Sequence, residues 1–245
     1  MKHSIYAAML AASATGAWAE DVAYEVDGES FTGYMAAAED PQGLVLIIHD
    51  WDGMTDYERQ RADMLAEMGY DAFALDMFGD ETPTETMDHR QAATGALYED
   101  RERMRMLIEA GLEQARMGSE AAGLVVMGYC FGGAVTLEMA RSDMAGEAAG
   151  YATFHGGLGT PEGQGYSADT PPIMVFHGAA DTSITMEDVA MLAVELEEAG
   201  TTYTMEVYSG APHAFTVMGS DRYQERADME SWESFGDFLE MQIGG

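Results

Sequence analysis

The sequence predicts an α/β fold: one domain built on a mostly parallel sheet with helices on both faces. Three observations predict it. Two runs, GLVLIIH at 43–49 and GLVVMGY at 123–129, are continuously apolar rather than alternating, as strands covered on both faces must be. Such runs alternate with helical segments along the chain, the signature of β-α-β units. The 245 residues contain no internal repeat, low-complexity tract or linker, and the length suits a single core.

In chain order, residues 23–26 and 31–36 form a hairpin across Asp27-Gly28, a turn-forming pair. The strand at 43–49 leads to a helix that Thr55 and Glu58 open with capping-box spacing and Gly69 closes. The next strand is 70–76. An irregular polar stretch, 79–87, precedes helical segments from about Asp88, including an amphipathic one over 101–117. The strand at 123–129 runs into a helix that ends near Arg141. Strands at 149–154 and 173–177 follow, then a helix over 185–199 stopped by Gly200, a strand at 203–208 and a final helix over 223–241.

Residues 1–19 read as a secretory signal peptide. Lys2 and His3 precede an apolar, small-residue run from Ile5 to Ala17, and Ala17-Trp18-Ala19 fits an A-x-A cleavage site. The run is too short to span a membrane. Residues 20–245 would then form the mature domain, exported to the periplasm or secreted. That domain has 44 acidic residues, ten arginines and no lysine. Such a charge argues against nucleic acid and anionic membranes as partners. It suits saline surroundings, where charges separated by more than about 8–10 Å are screened.

The only cysteine, Cys130, lies in GYCFGG between a strand and a helix. This is the nucleophile-elbow pattern with sulfur in place of oxygen. Gly128 and Gly132 lack the side chains that would clash in so sharp a turn. The helix N-terminus favours a thiolate there, and the Phe131 N–H faces a developing oxyanion. An acid and a histidine follow in the order an α/β-hydrolase requires. Asp181, in HGAAD, lies past the strand at 173–177, and His213, in GAPHAF, past the strand at 203–208. Alone, Cys130 would read as a small buried hydrophobe, Asp181 as a loop cap and His213 as a solvated turn residue. Together they read as nucleophile, orienting acid and general base. His49 and His177 end strands too early for that role, and His89 and His155 have no suitably placed acid.

GYCFGG, HGAAD, GAPHAF and the segment HDWDGMTDYERQRADMLAEMGYDAFALDMFG together resemble the dienelactone hydrolase family, across essentially all of residues 20–245. The resemblance implies a compact α/β-hydrolase with a Cys-Asp-His triad, no cofactor and no metal, acting on a small-molecule ester or lactone. It places Asp50 where the family has a glutamate that assists thiolate formation, although aspartate is one methylene shorter. It also implies that Trp51 supplies a second oxyanion-hole N–H beside that of Phe131. Family members that cleave dienelactone hold its carboxylate with arginines. Arg90 matches one of them, whereas the stretch after His213 has no arginine until Arg222.

Two other classes compete. One is an exported binding protein that keeps the fold without turnover. The other is a thiol-redox or copper protein, suggested by 21 methionines, whose thioethers suit Cu(I). No second thiol exists to resolve a mixed disulfide. The methionines, among them Met64, Met68, Met139 and Met191, are scattered along apolar faces as core filling would have them. The sequence leaves the oligomeric state open.

If the acidic composition is an adaptation to salt, the melting temperature of the mature protein should rise clearly between dilute buffer and about 1 M NaCl, where the Debye length is about 3 Å. A flat melting curve series would reject that origin.

Overall fold

The computed structural model describes residues 17–244. Among them, eight strands and six α-helices follow in the order β1 (Trp18–Val26), β2 (Glu29–Ala37), β3 (Leu44–Ile48), α1 (Asp56–Glu67), β4 (Asp71–Leu75), α2 (Met87–Glu99), α3 (Arg101–Gly118), β5 (Leu124–Tyr129), α4 (Phe131–Arg141), β6 (Gly150–Phe154), β7 (Ile173–Gly178), α5 (Met186–Ala199), β8 (Tyr203–Tyr208) and α6 (Glu225–Ile243). The strands form one sheet in the order β1-β2-β4-β3-β5-β6-β7-β8. β1 and β2 are antiparallel, β2 meets β4 antiparallel, and every pairing from β4 to β8 is parallel.

Local chemistry accounts for the element ends. Asp27 and Gly28 both adopt positive φ (52° and 82°), the pair of left-handed residues that a two-residue hairpin turn demands. Thr55 and Glu58 make the reciprocal capping box of α1, and Thr185 and Asp188 make that of α5. Gly200 ends α5 at φ 74°. Each central strand sends alternate residues to two cores. Leu44, Leu46 and Ile48 of β3 join α3, α4 and α5 on one face, while Val45 and Ile47 join α1 and α6 on the other.

The chain reverses its direction of travel across the sheet at β3. From β3 it steps to β4 on one side, then crosses to β5 on the other. The carboxyl ends of β3 and β5 therefore open onto a topological switch point, where an open α/β sheet leaves a crevice.

Two buried charges tie helices to this frame. Glu138 of α4, fully buried, accepts from Arg101 (3.1 Å) and Arg105 (2.7 Å) of α3 and lies 3.6 Å from Arg141. Arg61 of α1, also buried, pairs with Asp228 of α6, donates to the Thr216 carbonyl (2.9 Å) and lies over the rings of Tyr57, Tyr129 and Trp232.

Some expectations change. β1 begins five residues earlier than the alternation at 23–26 suggested, because Trp18 and Val22 pack against the core as Tyr24 and Val26 do. Most of the expected signal peptide, residues 1–16, lies outside the described residues. The expected cleavage bond after Ala19 falls inside β1, where Ala19 pairs with Ala36. Met139 fills the core, but Met191 is 57 % exposed and faces away from it. No described helix is long and apolar enough to cross a membrane.

Glu138→Gln leaves the guanidinium groups around it without a counter-charge, and breaking a buried pair in this way costs about 3 kcal/mol or more. Urea unfolding should show that loss. Arg116→Ala, which removes the exposed pairing with Glu147, should cost under about 1 kcal/mol. Equal effects would contradict the structural role of Glu138.

Candidate active site

Cys130 adopts φ 51° and ψ −108°, a backbone conformation that few side chains tolerate. The surroundings hold it there. Its N–H donates to the Phe154 carbonyl (3.0 Å), and its own carbonyl accepts from Ala134 and Gly157 (3.3 Å each). A Cβ on Gly128 would overlap the backbone of Gly132, and one on Gly132 would overlap the carbonyl groups of Ile48 and His49. α4 thus begins pressed against the end of β3, and only glycine permits that approach.

This packing brings the loop after β3 to the sulfur. The backbone N–H groups of Phe131 and Trp51 lie near enough to the Cys130 sulfur to favour its ionised form. Two donors so placed, one from the start of α4 and one from the β3 loop, can receive an oxyanion formed beside that sulfur.

His213 and Asp181 reach the same place from β8 and β7. β7 runs one residue longer than expected, so Asp181 sits three residues past its end. The Asp181 carboxylate accepts from His213 Nδ1 at 2.8 Å and from the N–H groups of Ser183 (2.8 Å) and Ile184 (3.0 Å). A carboxylate at Nδ1 selects the tautomer with its proton there, leaving the Nε2 lone pair toward the Cys130 thiol, 3.1 Å away. Burial alone would raise the Asp181 pKa. The hydrogen bonds from His213, Ile184 and Ser183 outweigh it and hold the group below the usual carboxylate range.

The thiol departs from the sequence reading. A helix N-terminus favours a thiolate, yet the Cys130 pKa is pushed up to about 12. Burial is the largest cause and the Asp50 carboxylate the second. The Phe131 and Trp51 N–H groups pull the other way and are outweighed. Its surroundings thus favour the neutral thiol over the thiolate.

Asp50 is buried, not a solvated strand-end acid. It accepts from the Asp52 N–H (3.2 Å) and has no hydrogen bond to Cys130, so it acts on the thiol through space. Its own pKa is raised well above the usual value by burial first, then by Asp52 and Glu58. Arg90 lies 3.6 Å from Asp52, donates Nε–H to the Thr84 carbonyl (2.7 Å) and sits over the Trp51 ring at 5.7 Å.

Sequence reasoning missed two features. Tyr98 of α2 stands edge-on against Phe131 (5.5 Å between ring centres), with its pKa raised to about 12 by burial and the nearby Cys130. Beneath His213, the Tyr57 hydroxyl donates to Thr216 Oγ1 (2.7 Å), which lies 2.9 Å from His155 Nε2, and the His155 ring packs edge-on against His213 at 5.2 Å. Burial, then the proximity of His213, holds His155 neutral. His155, set aside earlier for want of an acid partner, is thus a neighbour of the imidazole. Only spatial packing could reveal either feature, since these residues carry no spacing signal.

The sequence profile of the dienelactone hydrolase family matches residues 31–243. Among curated proteins, the chain is 25% identical over 230 residues to a protein of Salmonella typhimurium described as a carboxymethylenebutenolidase, covering 89% of this chain and 85% of that one. A protein of Aquifex aeolicus with the same description is 22% identical over 232 residues, covering 91% and 98%. Among solved structures, a dienelactone hydrolase-like promiscuous phosphotriesterase from metagenomic libraries superposes with a TM-score of 0.83 at 24% identity, covering 94% of this chain and 100% of that one. A structure from Klebsiella pneumoniae described as a dienelactone hydrolase superposes at 0.75 with 23% identity, covering 90% and 97%. Both structural likenesses bear on the fold.

A buried carboxyl with a raised pKa contributes stability below its unfolded pKa of about 3.9 and loses it as pH rises through the folded value. Asp50→Asn does not titrate there. The melting-temperature difference between this variant and wild type should therefore be flat below about pH 3.9 and move in the variant's favour as pH rises. A difference independent of pH would show that Asp50 does not carry the raised pKa.

Proposed function

This chain belongs to the dienelactone hydrolase family and is an ester or lactone hydrolase, and we propose that it works through a covalent acyl-enzyme on Cys130. The observation that carries the proposal is His213, whose Nε2 stands 3.1 Å from the Cys130 sulfur while its Nδ1 meets the Asp181 carboxylate at 2.8 Å.

The raised thiol pKa sets the order of events. Cys130 does not wait as a thiolate, so the proton leaves as the bond forms. Sγ attacks the substrate carbonyl while His213 Nε2 takes the thiol proton, and Asp181 stabilises the imidazolium. The carbonyl oxygen becomes an oxyanion held by the Trp51 and Phe131 N–H groups. As the intermediate collapses, His213 returns the proton to the departing alkoxide and a thioester remains on Cys130. Water, deprotonated by His213, attacks the thioester, and its second tetrahedral intermediate releases the acid and restores the thiol. No cofactor or metal takes part in these steps. The binding-protein and copper readings lack a comparable arrangement of residues in their favour.

We also propose that the protein is exported, with cleavage near Ala19. Such cleavage removes two residues of β1 and leaves Glu20–Val26 paired with β2. The bond must be cut before or during folding, since a protease needs an unpaired extended strand. Intact-mass measurement of the protein from a periplasmic fraction should give a chain beginning at Glu20. A mature chain that begins at Met1 would contradict export.

Cys130→Ala should lower kcat/KM on p-nitrophenyl esters and enol lactones by at least about 10³-fold. Cys130→Ser should remain strongly impaired, because a site built around a thiol is poorly matched to a less acidic alcohol. Undiminished turnover by the alanine variant would refute the acyl-enzyme.

A further inference from the structure

We infer that Arg90 is a positioning residue that holds the Trp51 N–H in place, and that the cleft at Cys130 consequently selects uncharged esters and lactones over those bearing a carboxylate.

Trp51 and Asp52 lie in a turn closed by the Gly53 N–H on the Asp50 carbonyl (3.3 Å). The Asp50 carbonyl of the tryptophan peptide also meets His49 Nδ1 (2.6 Å) and the Trp51 ring packs against the apolar core, while Arg90 holds the turn from the α2 side. Its guanidinium uses three bonding modes at once: Nε–H donates to the Thr84 carbonyl, Nη1 pairs with Asp52, and the planar group covers the Trp51 indole. Asp52 in turn donates its N–H to Asp50. The arginine therefore braces Trp51, whose N–H is the second oxyanion donor, and Asp52, the residue that follows it. A planar fork can stack and pair together, and a lysine ammonium cannot.

A cation so engaged is not free to meet a substrate carboxylate. The other arginines offer no substitute. Arg101, Arg105 and Arg141 surround Glu138, Arg61 pairs with Asp228, and Arg59, Arg103, Arg116 and Arg226 pair with surface acids. Arg222 is exposed, nine residues past His213. Facing Cys130 are instead Asp50 and Asp181, both close enough to raise its pKa, and Tyr98. An anionic substrate would approach the Asp181 carboxylate and the acid Asp50 with no opposing cation, whereas a neutral acyl group meets Tyr98 and backbone donors. The inference rests on the proposed hydrolase reading for turnover, but the local charge at Cys130 is measurable without it.

The test uses two nearly isosteric esters, p-nitrophenyl valerate and the mono-p-nitrophenyl ester of glutaric acid, on the purified mature protein. Wild type should prefer the neutral ester by at least about tenfold in kcat/KM at 50 mM NaCl, with a smaller ratio at 1 M. Arg90→Gln should lower kcat on both esters alike, about tenfold, with KM within about twofold, since displacing one oxyanion donor removes transition-state stabilisation only. Arg90→Lys should not restore it, and Asp52→Asn should fall in the same direction. A preference for the anionic ester, a KM increase confined to that ester in Arg90→Gln, or rescue by lysine would overturn the inference. A parallel experiment compares alkylation of Cys130 by iodoacetamide and iodoacetate. The amide-to-acetate rate ratio should exceed that of N-acetylcysteine by at least about threefold, and a ratio below that of the free thiol would overturn the inference even if neither ester were cleaved. Failure of the hydrolase reading is distinct, because it would appear as equal turnover by wild type and Cys130→Ala.

Discussion

The close approach of α4 to the end of β3 is the constraint on which the rest of the site depends. Gly132 rests against the carbonyl groups of Ile48 and His49, and Gly128 against Gly132 itself. Only with no side chains between them can the turn at Cys130 be tight enough to hold φ at 51° and present the sulfur at the sheet's edge. The same contact brings the loop after β3 to the Cys130 sulfur, so one packing event both strains Cys130 and delivers the Trp51 N–H. The strain is sustained by the buried strands on either side, β3 and β6, whose hydrogen bonds and apolar faces leave the turn no alternative conformation.

Electrostatics in the site follow from burial more than from the helix dipole. Cys130 stands at a helix N-terminus, yet burial and Asp50 keep the thiol protonated. A neutral thiol reacts slowly with alkylating agents and oxidants, because thiolate is the reactive form. In the proposed mechanism, activation awaits the arrival of an electrophilic carbonyl, when His213 would accept the proton. Asp181 suits that proposed role because its own hydrogen bonds favour its ionised form against the cost of burial. Two carboxylates thus sit near one sulfur with opposite pKa directions, Asp50 raised and Asp181 lowered. The difference comes from their donors: Asp181 receives three, Asp50 a single backbone N–H beside another acid.

A chain with 44 acids and ten arginines in residues 20–245 has few cations to distribute. The structure assigns three of them to one buried glutamate and one to a buried aromatic cluster. Glu138 joins α3 to α4 behind the elbow. Arg61 joins α1 and α6 to the loop after His213 through the Thr216 carbonyl. Both therefore steady segments that carry site residues, and the acidic remainder of the surface is left to solvent and salt.

By itself the sequence determined the alternation of strands and helices, the cap at Thr55, the helix stop at Gly200, the glycine elbow around Cys130 and the order of Cys130, Asp181 and His213. These are local signals: apolar runs, capping pairs and turn residues declare themselves within a few positions. It understated β1, because WAEDVAYEV was read from Ala23 onward and the alternation of Trp18, Val22, Tyr24 and Val26 was divided by the supposed cleavage site. Only the tertiary structure decided that the thiol is neutral, that Asp50 is buried without touching it, that Arg90 is engaged by Asp52 and Trp51, and that Tyr98 and His155 border the site. Each of these depends on distance and desolvation between residues far apart in the chain. A residue's type and spacing give its chemistry, but the energy of a charge is set by what surrounds it, and that is defined only once the chain has folded.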